Sequence, residues 1–180
     1  MISESFGLLF YQYFMARIFL ALTLDKDLND QIIDIKKELK STSLKDANIA
    51  WQKNDHHHLT VYFVGEMEPE QIVQMNEEIS LINLKSISKY IDLTSISFFP
   101  NENSQVLSVL VKKNPHLKTL HEEIGRIVVN IGLGSDLKTY KPHITLGRFK
   151  EKDRPQYEFK IFNEDIRGKV KQLDIFESEF

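Results

Sequence analysis

Two short stretches of this chain begin with the same pair of chemical groups: His58-Leu59-Thr60-Val61 and His143-Ile144-Thr145-Leu146. On an extended strand residues i and i+2 share a face, so each stretch offers an imidazole beside a hydroxyl, with apolar residues anchoring it from behind. Two imidazoles across a cleft suit in-line attack on a phosphodiester: a neutral one takes a proton from water, and a protonated one gives a proton to the leaving ribose oxygen. An ordinary histidine pKa of about 6.5 lets both roles be filled near neutrality. The pH–rate profile should then be bell-shaped, with both limbs within roughly a unit or two of that value. The threonine hydroxyls can hydrogen-bond the non-bridging phosphate oxygens. No metal and no cofactor is needed. One His-x-Thr is common by chance; two, each opening an apolar β-type strand, are far more specific. The competing reading is a pair of strand-edge histidines backed by ordinary β-formers.

His58 ends a run of three, after Asp55, His56 and His57, and such a cluster invites a metal. Adjacent histidines on an extended chain point in opposite directions, however, and Asp55 alone completes no ligand set. Parity leaves His56 at the rim on the His58 side and His57 as a loop residue whose replacement by alanine should be close to silent. Alternation also points Tyr62 toward the cleft, where an aromatic face can stack on a base; core packing is the competing reading for Tyr62 and Phe63. Trp51 reads as a core or groove residue. Tyr140 and Lys141 either meet the substrate backbone or lie in a solvated loop. His116 and His121 do not share a helix face and receive no role.

The elements that must position these groups follow from periodicity. Residues 16–23 form a buried strand, and Leu28, Ile32, Ile35 and Leu39 mark an amphipathic helix over about 26–40. A short strand at Ile49–Trp51 precedes the strand 58–64, which should stop at Gly65. Pro69 opens a second helix carrying Ile72, Met75, Ile79 and Ile82 on one side. Strands at 90–99 and 106–111 flank the turn cluster FPNENSQ, and Asn114-Pro115 starts a third helix that ends at the Gly132 and Gly134 breakers. A strand at 143–149 and two more in the tail, YEFKIF and KVKQLDIFES, complete an α+β chain of two similar halves.

The 180 residues, 42% hydrophobic and 27% charged, favour one domain with a proper core. With no cysteine, disulfides, thiolate zinc and cysteine nucleophiles are excluded. A net charge of −3 and no basic stripe exclude a firm grip on long duplexes, so a nucleic-acid partner must be read locally, at an end. No run is long and apolar enough to span a bilayer. The expectation is a cytoplasmic monomer with its domain at 15–180, residues 1–14 being an extension before a start at Met15.

The segments ARIFLALTL, NDHHHLTVYFVGEM, ISFFPNENSQVLSVLV and YKPHITLGRF, in that order, resemble the two-histidine (2H) phosphoesterases, in particular the RNA 2′,3′-cyclic phosphodiesterases also called 2′-5′ RNA ligases. The resemblance implies a bilobal fold with pseudo-twofold symmetry, antiparallel sheets lining a central cleft and helices outside. It implies metal-independent opening of a terminal 2′,3′-cyclic phosphate to a 2′-phosphomonoester, with reversible 2′-5′ ligation in reach. By that resemblance His58 is the proton donor and His143 the proton acceptor, while Thr60, Thr145 and Arg148 hold phosphate and Phe63 occupies an aromatic position. Arg148 lies five residues past His143, so strict alternation puts it on the wrong face unless the strand bulges. Two alternatives stand beside this: a 2H enzyme for another cyclic nucleotide or RNA 3′ end, and a nucleotide-binding module without turnover.

Overall fold

The computed structural model describes residues 15–83, 89–134, 139–150 and 161–178, with the backbone alone for 163–165. Among the described residues ten elements follow in order: β1 (Ala16–Leu24), α1 (Lys26–Ser41), β2 (Ile49–Trp51), β3 (His58–Met67), α2 (Pro69–Ser80), β4 (Tyr90–Phe99), β5 (Val106–Val111), α3 (Pro115–Asn130), β6 (His143–Phe149) and β7 (Ile161–Glu177). Local chemistry sets the helix starts. The Asp25 carboxylate accepts from the Leu28 amide at 2.9 Å, and Asn114 Oδ1 accepts from His116 N at 2.8 Å. Pro69 and Pro115 each stand in a first turn, where a missing N–H leaves nothing unsatisfied.

The strands are antiparallel in the order β2-β6-β3-β1-β7-β4-β5, and β5 pairs back onto β6. Six ladders therefore close on themselves, and β2 lies along the end of β6 beyond the point where β3 pairs with it. The halves repeat at the level of register. In one, Ala21 opposes Thr60, Leu20 opposes Tyr62 and Phe19 opposes Phe63. In the other, Ser108 opposes Thr145, Leu107 opposes Gly147 and Val106 opposes Arg148. Each ladder skips one residue directly after its His-x-Thr, Val61 in β3 and Leu146 in β6. A skipped residue is a β-bulge, which reverses the alternation of side chains beyond it.

Leu59, Val61, Ile144 and Leu146 point away from the cleft into a continuous core with Leu28, Ile32, Leu117, Leu120 and Ile124 from the helices. Two expectations are corrected here. β3 does not stop at Gly65 but runs on to Met67, because Gly65 adopts a φ of +100° beside a second register shift. The tail is one long strand rather than two, at least from Ile161 onward, since β7 serves β4 with its first part and β1 with its last. Residues 1–14, and 157–160 of YEFKIF, lie outside the described residues.

Candidate active site

β3 and β6 meet at one antiparallel pair, Leu59 opposite Ile144. Both side chains are fully buried, so the flanking residues turn to the other face. Carrying the register one step each way sets His58 beside Thr145 and Thr60 beside His143. The two motifs thus form one four-cornered cluster about the pseudo-twofold axis, with like groups on the diagonals. A single backbone pair fixes it, and neighbouring strand positions of this kind are about 5 Å apart.

Both imidazoles are oriented alike. His58 Nδ1 is 2.9 Å from the His56 carbonyl, and His143 Nδ1 is 3.0 Å from the Lys141 carbonyl. A carbonyl can only accept, so Nδ1 carries the proton in each ring and Nε2 is left to exchange one. His58 is packed against Phe19 and Phe176, with ring centroids at 4.9 and 5.5 Å. His143 stacks on Phe99 at 3.4 Å. Phe176 opposes Phe19 as Phe99 opposes Val106, so the two backing rings occupy equivalent places in the halves. This enclosure disfavours the imidazolium. Burial pushes His143 down to about 4, against the raising effect of its hydrogen bond to Lys141. Burial also holds His58 below 6.5. Burial thus displaces both histidines to the acid side of the ordinary value, a shift that periodicity does not show because it carries no information on desolvation.

The bulges decide the next residues. Beyond Leu146 the parity reverses, and Arg148 is exposed on the side of His143 and Thr145. Gly147 makes this possible: a Cβ there would stand 2.8 Å from Ile49 Cγ2 and 2.9 Å from Ala50 O. Beyond Val61 the same reversal corrects the expectation for Tyr62. Its ring is 3% exposed on the helix side, 5.0 Å from His121, and does not face the cleft. Phe63 takes the cleft side instead, 40% exposed opposite Phe19, with the Arg17 guanidinium 4.8 Å above its ring. Plain alternation misses both switches.

The three consecutive histidines diverge. His56 is exposed, 3.9 Å from Asp55. His57 is not a loop bystander: it is 6% exposed, with Nδ1 donating to Asn29 Oδ1 at 2.8 Å and Nε2 accepting from Lys36 Nζ at 3.1 Å. Lys36, also buried, gives its other two protons to Gln52 O at 2.6 Å and Asn54 Oδ1 at 2.7 Å. All three ammonium donors are used. Burial, then the neighbouring Lys36 charge, push His57 down to about 4, and burial lowers Lys36 to about 8. This network ties α1 to the segment that delivers His58. Among the described residues, no three His, Asp or Glu side chains come together as a metal site would require. Nor does any described helix have the length and apolarity to cross a membrane.

Residues 22–107 match the model of the LigT-like phosphoesterases, a span that includes the first motif and ends before the second. The chain is 27% identical to the RNA 2′,3′-cyclic phosphodiesterase of Methanocaldococcus jannaschii over 74% of this chain and 72% of that one. It is 26% identical to the protein of the same name from Aquifex aeolicus, over 92% and 84%. The crystal structure of E. coli LigT complexed with 3′-AMP shares the fold at a TM-score of 0.73 and 18% identity, covering 92% of this chain and 90% of that one. In the matched segment, the shared fold and a His-x-Thr at the same register in each half, the chain resembles the LigT-like phosphoesterases.

Proposed function

We propose that the protein is an RNA 2′,3′-cyclic phosphodiesterase that opens a terminal cyclic phosphate to a 2′-phosphomonoester. The observation that carries this is the diagonal cluster: two imidazoles, each with Nδ1 held by a carbonyl and Nε2 free to move a proton, beside two threonine hydroxyls. The relatives' names supply the substrate class. In the forward step water attacks phosphorus as His143 Nε2 takes its proton. The P–O3′ bond breaks, and His58 Nε2 protonates the departing O3′. Thr60 and Thr145 donate to non-bridging oxygens, and the Arg148 guanidinium offsets their charge. An anionic phosphodiester also favours imidazolium, so its arrival promotes the protonation of His58 that burial opposes in the empty cleft. With the 5′-hydroxyl of a second RNA end in place of water, the same step forms a P–O5′ bond as the P–O3′ bond breaks, which is 2′-5′ ligation; run backwards, it returns the cyclic phosphate and the free 5′-hydroxyl. Phe63 offers the terminal base a face.

The test is direct. The purified protein, with EDTA, is given an oligoribonucleotide ending in a 2′,3′-cyclic phosphate, and the product end is identified. A 2′-phosphate is expected, with His58→Ala and His143→Ala each slower by roughly two to four orders of magnitude. No turnover, or a 3′-phosphate product, would overturn the proposal.

A further inference from the structure

A β-bulge takes backbone groups out of the ladder, and buried groups so released need other partners. In the second half the chain supplies one from its own backbone: Gln52 N, at the end of β2, donates to Leu146 O at 2.8 Å. Among the described residues the first half has no strand in the equivalent place. There the carbonyls of Thr60 and Val61 are met by side chains from behind the sheet. Tyr140 Oη donates to Thr60 O at 3.2 Å, and His121 Nδ1 donates to Val61 O at 2.8 Å.

These two side chains are built as a unit. Their rings stack at 4.6 Å and 12°, and Tyr62, turned inward by the same bulge, packs on His121 at 5.0 Å. Gly125, one turn along α3, gives Tyr62 room: a Cβ there would stand 3.2 Å from its ring. Burial raises the Tyr140 phenol far above its ordinary range, so it remains a neutral donor at any working pH. Tyr140 also spans the pseudo-twofold axis. It bonds the carbonyl of the first motif's threonine, and the next residue is Lys141, whose carbonyl holds Nδ1 of His143.

We propose that His121 and Tyr140 are positioning residues: from behind the sheet they fix the bulge that follows Thr60 and turns Phe63 to the cleft, and they brace the first motif against the lead-in to the second. Neither reaches the cleft, so both act through the backbone of residues 60 and 61 and through Lys141. This rests on the cleft being the phosphoesterase site, and its test separates the two ideas.

Tyr140→Phe keeps the ring and removes one donor. His121→Phe keeps an aromatic ring and removes the other, while His121→Asn keeps an N–H where Nδ1 stood. Loss of either donor should lower kcat by on the order of 10- to 100-fold, with a smaller change in KM, as misplacement of reacting groups does. His121→Asn should recover most of the activity. Amide hydrogen exchange, which needs no substrate, should be faster across residues 59–63 in Tyr140→Phe and His121→Phe than in the parent, with the β4–β5 ladder unchanged. Parental activity and exchange in both donor-less variants would overturn the inference. So would a loss of activity in His121→Asn as large as in His121→Phe. If the parent itself has no activity, the functional proposal fails, and the exchange pattern alone decides the positioning role.

Discussion

His58 and His143 have the same carbonyl partner two residues upstream and the same aromatic backing, yet the proposed reaction asks them for opposite protonation states. The environment gives the sign of the pH dependence. His143 must be neutral to accept a proton, and its folded pKa of about 4 keeps it so above that pH. His58 must be charged to donate one, and its pKa below 6.5 means that the charged form disappears as pH rises through that lowered value. In the free enzyme, kcat/KM should therefore peak between about 4 and 6.5, on the acid side of an ordinary histidine pair. The kcat profile should extend to higher pH, because bound phosphate favours imidazolium. Profiles of His58→Ala and His143→Ala check the assignment: the first should lose the alkaline fall and the second the acid one. A kcat/KM maximum at or above pH 8 would contradict it.

At the scale of elements, the segment 52–57 between β2 and β3 is held by α1 through one buried lysine. Replacing His57 by alanine leaves the Lys36 ammonium one acceptor short and Asn29 Oδ1 without its donor. An unsatisfied buried polar group costs about 1–3 kcal/mol, so chemical denaturation at pH 7 should show a loss of that size. His57 also contributes an acid sensitivity. Its folded pKa, lowered to about 4, means that protonation disfavours the native state as pH falls from 6.5 through that value. Stability should thus decline over this window, less steeply in the His57→Ala variant, as thermal melts across pH would record. His57 reads as a bystander in the sequence because its partners are 28 and 21 positions away, on a helix face that periodicity marks only as amphipathic.

For the whole molecule, a net charge of −3 sets the mode of RNA recognition. The proposed site has Arg148 as its cation toward phosphate, so few counterions are released on binding. The slope of log kcat/KM against log salt should be shallow, about −0.7 for each phosphate neutralised on a single strand, and Arg148→Ala should flatten it by about that amount. Rate measurements from low to moderate salt test this. A steep slope that Arg148→Ala leaves unchanged would mean that the RNA backbone is held elsewhere.

The α+β class, the three helices, the Asn114 cap of the third and the two His-x-Thr strands were all legible in the sequence, because each rests on interactions within a few residues. So was the separation of His58 from its two neighbours, since alternation is local. What only the tertiary structure decided lies wherever a ladder skips a residue. The bulges at Val61 and Leu146 sent Tyr62 into the core and brought Phe63 and Arg148 to the cleft, and no period-2 pattern encodes a skipped residue. Burial, which depends on the whole fold, set the protonation of His57 and His143. The partnership of His121 and Tyr140 with the bulge carbonyls likewise joins residues 60 to 80 positions apart, a distance over which spacing carries no signal.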